Sequence, residues 1–311
     1  MELIQLQIKQ KKPEWLKIRP PSTEKYQHIK ELIRSKKLHT ICEEAKCPNL
    51  AECWSHGTAT FLILGDTCTR WCGYCNVKTG KPYELDLDEP LKVAEAVKQM
   101  NLQYVMITSV TRDDLEDGGA SLYAETIHQI KKLQPGCSVE VLIPDFKTRS
   151  GKILKEGYLN ENALRTVLDA NPDVLAHNIE AARRVFHRVR PGGNYDVSLQ
   201  LLKKSKDIRP DIHTKSAIIL GFEETKEEII DTMRDLRNND VDFLSMGQYL
   251  RPTSRHTKIE RFYAPAEFEE LTKIGMEIGF KHVEAGPLVR SSYRADKLKV
   301  LLISPPKNKN I

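Results

Sequence analysis

The chain has 311 residues, room for one large domain or two smaller ones with a full core. Its 40% apolar and 29% charged residues mark a globular protein, and a formal net charge of only +5 gives no electrostatic case for nucleic acid. No apolar run reaches the roughly 20 residues of a membrane-spanning helix, so no membrane partner is expected.

The amino terminus, Met1-Glu2-Leu3-Ile4-Gln5, lacks the basic start and apolar stretch of a secretory signal, and its early acid argues against a transit peptide. A cytoplasmic protein is the expectation. Residues 1–37 are rich in Lys, Pro and Gln, with Pro13, Pro20 and Pro21 as breakers. They predict an extended arm that runs into a helix near 26–34. Cys42, Cys47 and Cys53 follow at C-x4-C-x5-C spacing. From there strand and helix patterns alternate. Apolar or β-branched runs over 58–64, 104–110, 138–143, 174–179, 213–220 and 243–250 predict six strands. Between them, apolar residues at helical spacing mark helices, such as Val93, Val97 and Met100 after Pro90. A last helix is predicted to start at Pro265 and stop at Gly279. Six strand–helix pairs in a row imply a parallel sheet with right-handed crossovers. Six repeats make a partial barrel of the (βα)6 kind, α/β in class, or a doubly wound sheet. The expected division is an amino-terminal extension over 1–57, the barrel over 58–280 and a carboxyl-terminal extension over 281–311.

The predicted first strand runs into Cys68, Cys72 and Cys75, at C-x3-C-x2-C. Three thiolates this close can hold three irons of a [4Fe-4S] cube and leave the fourth open to a small molecule. Structural zinc or a redox thiol pair is the alternative, but zinc takes four ligands and no fourth is evident nearby. The triplet Cys42, Cys47 and Cys53 is open to both readings, a zinc knuckle or a second cluster; its nearness to the first triplet favours the cluster. In parallel α/β folds the site forms at the carboxyl ends of the strands. Five polar stretches fall there: the Cys68–Cys75 loop, the segment ending in Asp117-Gly118-Gly119, His177-Asn178-Ile179-Glu180, Gly221, and Tyr249-Leu250-Arg251. A single His at such a place is more often a satisfied structural residue than a ligand. In the tail, Arg290-Ser291-Ser292-Tyr293 supplies hydroxyls that could complete a three-cysteine cluster.

These motifs together resemble the lipoyl synthases of the radical S-adenosylmethionine superfamily, from about Cys42 to Ala295. The resemblance rests on both cysteine triplets, the Arg-Ser-Ser-Tyr tail, Asp117-Gly118-Gly119, Asn178 with Glu180, Lys215, and Gln248-Tyr249-Leu250-Arg251-Pro252. It implies a sulfurtransferase with two [4Fe-4S] clusters and S-adenosylmethionine. Cys68, Cys72 and Cys75 would hold the catalytic cluster. Cys42, Cys47, Cys53 and Ser292 would hold the auxiliary one. Asp117, Gly118, Gly119, Asn178, Glu180, Lys215 and Arg251 would line the cofactor pocket. The implied reaction inserts two sulfur atoms at C6 and C8 of an octanoyl group on a lysine of a lipoyl carrier domain, either the glycine-cleavage H protein or the E2 subunit of a 2-oxoacid dehydrogenase. The implied reductant is a low-potential donor such as ferredoxin or flavodoxin. A sulfur-inserting enzyme of the biotin synthase kind would share the Cys68–Cys75 motif without the second triplet and the tail. A non-catalytic iron–sulfur or zinc protein would need neither the barrel nor an open iron.

Overall fold

A computed structural model describes residues 12–18, 23–56, 58–147 and 159–303; residues 1–11 and 19–22 of the expected arm lie outside them. All six predicted strands form: β1 (Thr60–Ile63), β2 (Tyr104–Ser109), β3 (Ser138–Leu142), β4 (Val174–Ala176), β5 (His213–Leu220) and β6 (Phe243–Gln248). Each pairs in parallel with the next. Three helices precede β1: α1 (Glu24–Ser35), α2 (Ile41–Glu44) and α3 (Leu50–His56). The crossovers are α4 (Glu89–Gln99), α5 (Ala120–Leu133), α6 (Glu161–Asp169), the pair α7 (Arg183–Val189) and α8 (Tyr195–Ile208), and α9 (Lys226–Asn238). After β6 come α10 (Pro265–Ile278) and a seventh parallel strand, β7 (His282–Gly286), which aligns His282 with Phe243 and Gly286 with Gly247 of β6. The sheet thus extends into the segment expected to be a carboxyl-terminal extension. His39–Thr40 pairs antiparallel with β1 on the opposite edge. Among the described residues β7 and His39–Thr40 are the two edges of one sheet, so the wall is a partial barrel.

Local chemistry sets the helix ends. The Thr225 hydroxyl accepts from the Glu228 N–H, and the Glu228 carboxylate accepts from the Thr225 N–H at 2.8 Å, a capping box that starts α9. Helix α10 opens on Pro265 and closes on Gly279 at φ +106°, as its sequence predicts. Strand β4 stops three residues short of its predicted end. Beyond Ala176, Glu180 takes φ +70° and rejoins β5 only through an isolated bridge to Ile218.

Alternation divides each strand between two faces. Val105, Ile107, Val139, Val141, Leu244 and Met246 pack under the helices with Val93, Val97, Ile127 and Met233. The intervening residues face the lumen. Tyr104, Val174 and Phe243, the first residues of β2, β4 and β6, form a separate apolar cluster with Ala295 and Leu298. The chain after β7 therefore returns to the amino ends of the strands, where α11 (Leu298–Ile303) begins. Beside that cluster Lys215 of β5 reaches past β4 to Glu140 of β3 at 2.9 Å, and the Tyr104 hydroxyl donates to the same carboxylate. Lys215 and Glu140 are 3% and 0% exposed.

Candidate active site

The Cys68–Cys75 loop leaves β1 and is pinned at both ends. Thr67–Cys68 pairs in parallel with Lys78–Thr79, closing the loop on itself. The Cys68 sulfur accepts from the Arg70 and Thr111 N–H groups at 3.4 and 3.3 Å. Thr69 donates its N–H to the Thr111 carbonyl at 2.9 Å, joining the loop to the carboxyl end of β2. Arg70 is bidentate to Asp113 (2.8 and 2.6 Å) and reaches Asp145 beyond β3 at 2.8 Å. All three side chains are almost fully buried. Burial acts against ionisation of Asp145, but the Arg70 hydrogen bonds and charge more than offset it and hold the carboxyl well below its usual range. On the far side the Gly73 N–H donates to the Val189 carbonyl at the end of α7 (2.9 Å), and the Thr257 N–H donates to the Gly73 carbonyl (2.8 Å). A Cβ on Gly73 would stand 2.3 Å from the Thr257 hydroxyl, so only glycine allows this approach. His256 Nε2 lies 2.9 Å from the Cys75 carbonyl.

Burial pushes the Cys75 thiol up to about 12 and that of Cys72 up to about 11, each with a neighbouring Cys adding to the effect. These sulfurs stay protonated near neutral pH until a cation displaces the proton. The donor set suits iron–sulfur chemistry: three soft thiols on one short loop and no fourth protein ligand supplied by it.

Next to the loop lies a buried polar recess. Asn178 donates to Glu180 Oε1 at 3.1 Å, while its own Oδ1 is buried without a partner. Burial raises the Glu180 carboxyl above its ordinary value despite Arg190, Asn178 and Tyr74 facing it. An orphaned acceptor beside a buried carboxylate, next to the cysteine loop, is a place for a cationic ligand with N–H and O–H donors. Gly118 and Gly119, at φ +62° and +93°, form the turn into α5. His177 is saturated by the Ile143 carbonyl (2.8 Å) and the Ser198 hydroxyl (3.0 Å), the structural role its isolation predicted.

Three predicted pocket residues are otherwise engaged. The Asp117 carboxylate accepts from the Gly119 N–H and from the Ser121 N–H, each at 2.8 Å, fixing the start of α5. Lys215 neither faces solvent nor stands on the rim: it is the third residue of β5, and its ammonium is taken by Glu140. Arg251 donates to the His256 carbonyl at 2.9 Å and so supports the turn that grips Gly73 and Cys75. Residues that sequence reasoning missed are Arg70, Tyr74, Arg190, His256 and Thr257. Arg70 alone carried a signal, being a charge inside the cysteine motif.

The second triplet lines a different pocket. Cys42 stands on α2, Cys47 donates its N–H to the Cys42 carbonyl (2.9 Å), and Cys53 stands on α3 and donates its N–H to the Asn49 carbonyl (2.8 Å). The three line one cavity with Thr60, Tyr104, Met106 and Ser292; Ser291 is not part of its wall. Burial, with Cys47 adding to it, pushes the Cys42 thiol up to about 12. The tail is tied to this segment by Asn49 on the Leu288 carbonyl (2.6 Å) and by the Tyr293 hydroxyl on Glu52 (2.9 Å). Among the described residues no three Cys, His, Asp or Glu side chains stand close enough together to hold a metal ion.

A parallel partial barrel with a C-x3-C-x2-C loop at the carboxyl ends of its strands defines a radical S-adenosylmethionine enzyme. The profile of the radical SAM superfamily matches residues 62–236, and that of the N-terminal domain of lipoyl synthase of the radical SAM family matches residues 2–47. The chain is 52% identical over 288 residues to lipoyl synthase from Shouchella clausii, covering 92% of this chain and 90% of that one. It is 52% identical over 284 residues to lipoyl synthase from Rubrobacter xylanophilus, with 91% and 85% covered. The chain belongs to the lipoyl synthase family. Its cofactors therefore include S-adenosylmethionine and a [4Fe-4S] cluster. Solved structures share the fold at low identity. Methylornithine synthase superposes with a TM-score of 0.51 at 12% identity, over 85% of this chain and 78% of that one. A maturase of the [FeFe]-hydrogenase gives 0.55 at 14% identity, over 72% and 50%.

Proposed function

We propose that this enzyme inserts two sulfur atoms, at C6 and C8, into an octanoyl group carried on a lysine of a lipoyl carrier domain, and that its two thiol triplets hold separate clusters. The observation that carries this is the pair of separate cysteine triplets on one barrel, with Ser292 from the far end of the chain lining the same pocket as the second. Cys68, Cys72 and Cys75 are assigned the S-adenosylmethionine-binding cluster. Cys42, Cys47, Cys53 and Ser292 are assigned the auxiliary one. When bound, the cofactor supplies a carbon radical able to abstract hydrogen from unactivated carbon, and the auxiliary cluster supplies sulfur.

The protein's own part is to bind, orient and keep dry. Asn178 Oδ1 and the Glu180 carboxylate are assigned to the cofactor's donors, and the Gly118-Gly119 backbone to its close approach. Arg70, Gly73 and Thr257 hold the cysteine loop against the rim. The strand walls, closed at the amino ends by Ala295 and Leu298, exclude water from the lumen. Serine is a harder donor than thiolate and a poorer match to cluster iron, which favours release of sulfur from the auxiliary site. The carrier is an octanoylated lipoyl domain, the H protein of glycine cleavage or a dehydrogenase E2 subunit, and the reductant is of the ferredoxin or flavodoxin type. The compartment assigned is the cytoplasm; among the described residues no helix is long and apolar enough to cross a membrane.

The test is anaerobic reconstitution. Roughly eight irons per chain are expected, four for each cube. An octanoyl-lysine peptide should be converted to the 6,8-dithiol with release of 5′-deoxyadenosine. Asn178→Ala should weaken S-adenosylmethionine binding about tenfold, the equivalent of one hydrogen bond. Four irons per chain with no thiolated product would overturn the proposal.

A further inference from the structure

Leu64, the first residue after β1 and four before Cys68, sits in the left-handed backbone region at φ +69°, followed by Gly65 at +89°. Glycine adopts this conformation freely; a leucine does not and must be held there. Both polar groups of the Leu64 backbone are held by buried charged side chains. Its N–H donates to Glu89 Oε2 at 2.7 Å, and its carbonyl accepts from Arg112 Nη1 at 3.2 Å. Glu89, Arg112 and Leu64 are only 6%, 3% and 2% exposed. Glu89 is the first residue of α4, while Arg112 follows β2 and is itself fixed by Asp114 at 2.8 Å. The Leu64 side chain fills the space that Gly119 leaves open, where a Cβ would stand 2.3 Å from Leu64 Cδ1. One strained residue therefore joins the cysteine loop through its backbone to the Gly118-Gly119 turn through its side chain.

We propose that Glu89 is a positioning residue for the reaction: its carboxylate locks Leu64 in the left-handed conformation, and through Leu64 it sets both the direction of the Cys68 loop and the place of the Gly119 backbone. Glu89 is buried, and its carboxylate accepts from the Leu64 backbone, so its part in the reaction is one of position. Without its carboxylate the Leu64 N–H is buried with no acceptor, and the chain turns toward an ordinary conformation that satisfies it. The cysteine loop and the glycine turn then shift together. A Gln at this position keeps one acceptor oxygen in the same place. The effect on cofactor binding rests on the assignment of Gly118 and Gly119 to the S-adenosylmethionine pocket.

The experiment compares wild type, Glu89→Ala and Glu89→Gln as anaerobically reconstituted full-length enzyme. It reads hydrogen exchange at the Leu64 and Gly65 amides, S-adenosylmethionine affinity from the spectral change of the reduced cluster, and KM and kcat for 5′-deoxyadenosine release. In Glu89→Ala the Leu64 amide should lose protection. KM for S-adenosylmethionine should rise on the order of tenfold or more, as expected for an active-site displacement transmitted from a distance. Glu89→Gln should restore both. Wild-type protection and affinity in Glu89→Ala would overturn the lock. So would a fall in iron content and kcat with KM unchanged, which is what simple loss of folded enzyme produces. Lost protection with unchanged affinity would overturn the link to the cofactor; a Gly119→Ala variant of unchanged affinity would then place the fault in the pocket assignment rather than in the lock.

Discussion

Arg70→Met would leave Asp113 and Asp145 buried at the active-site rim without their cation. In the wild type the guanidinium makes bonds of 2.8 and 2.6 Å to Asp113 and of 2.8 Å to Asp145, and the three side chains are 7%, 8% and 5% exposed. Removing one partner of such a buried pair costs about 3–5 kcal/mol, which in a chain of this size corresponds to a fall in Tm of roughly 5–8 °C. The pH dependence gives a sharper test. Asp145 has a folded-state pKa held below its unfolded value, with Arg70 outweighing burial. Such a group contributes stability that is present above the unfolded pKa, about 4, and is lost as pH falls through the folded value. In Arg70→Met that contribution is gone, and burial then acts on the Asp145 carboxyl without Arg70 to offset it, so the penalty of the variant shrinks as Asp145 protonates. The Tm difference between wild type and variant should be widest near pH 7 and should narrow below about pH 5. Thermal unfolding of cluster-free protein across pH measures it. A variant as stable as wild type, or a gap that does not change with pH, would refute the role given to Arg70.

Two further predictions concern residues far from the cysteines. A Cβ at Gly247 would stand 1.9 Å from the Val289 carbonyl, so Gly247→Ala should push the tail off β6, carry Ser292 away from its pocket and lower auxiliary-cluster iron while the first cluster remains; iron content and Mössbauer spectra check it. Lys215→Met should cost about 3–5 kcal/mol by leaving Glu140 buried and uncompensated, yet leave S-adenosylmethionine affinity unchanged, and a second change, Glu140→Gln, should recover much of the stability. Thermal melts and cofactor titration of the single and double variants measure both.

The strand pattern and the cysteine motifs were legible because each is written locally. The runs at 104–110 and 213–220 alternate with helical stretches, and 213–220 matches β5 residue for residue. What escaped is written non-locally. Strand β7, His-Val-Glu-Ala-Gly, is short and half polar, and it becomes a strand because β6 offers an edge and Gly275 lets α10 approach Val283. Helix α3, which carries Cys53, is only seven residues long and is held by contacts with α1, so its own sequence gives little period. Lys215 read as a rim residue because its partner, Glu140, lies 75 positions earlier and across two strands. Asp117 read as a ligand, yet its nearest unpaired donors were the N–H groups of the helix it begins.

The division of labour between the two cysteine triplets is tested most directly by the C42A/C47A/C53A variant. The auxiliary pocket draws its walls from α2, α3, β1, β2 and the tail, while the catalytic loop is held by Thr111, Asp113, Val189 and Thr257, so losing the first leaves the anchors of the second in place. With S-adenosylmethionine, reductant and an octanoyl-lysine peptide, the variant should still release 5′-deoxyadenosine and should form no thiolated peptide. Thiolated product from the variant, or failure to cleave S-adenosylmethionine with the first cluster fully loaded, would contradict the account.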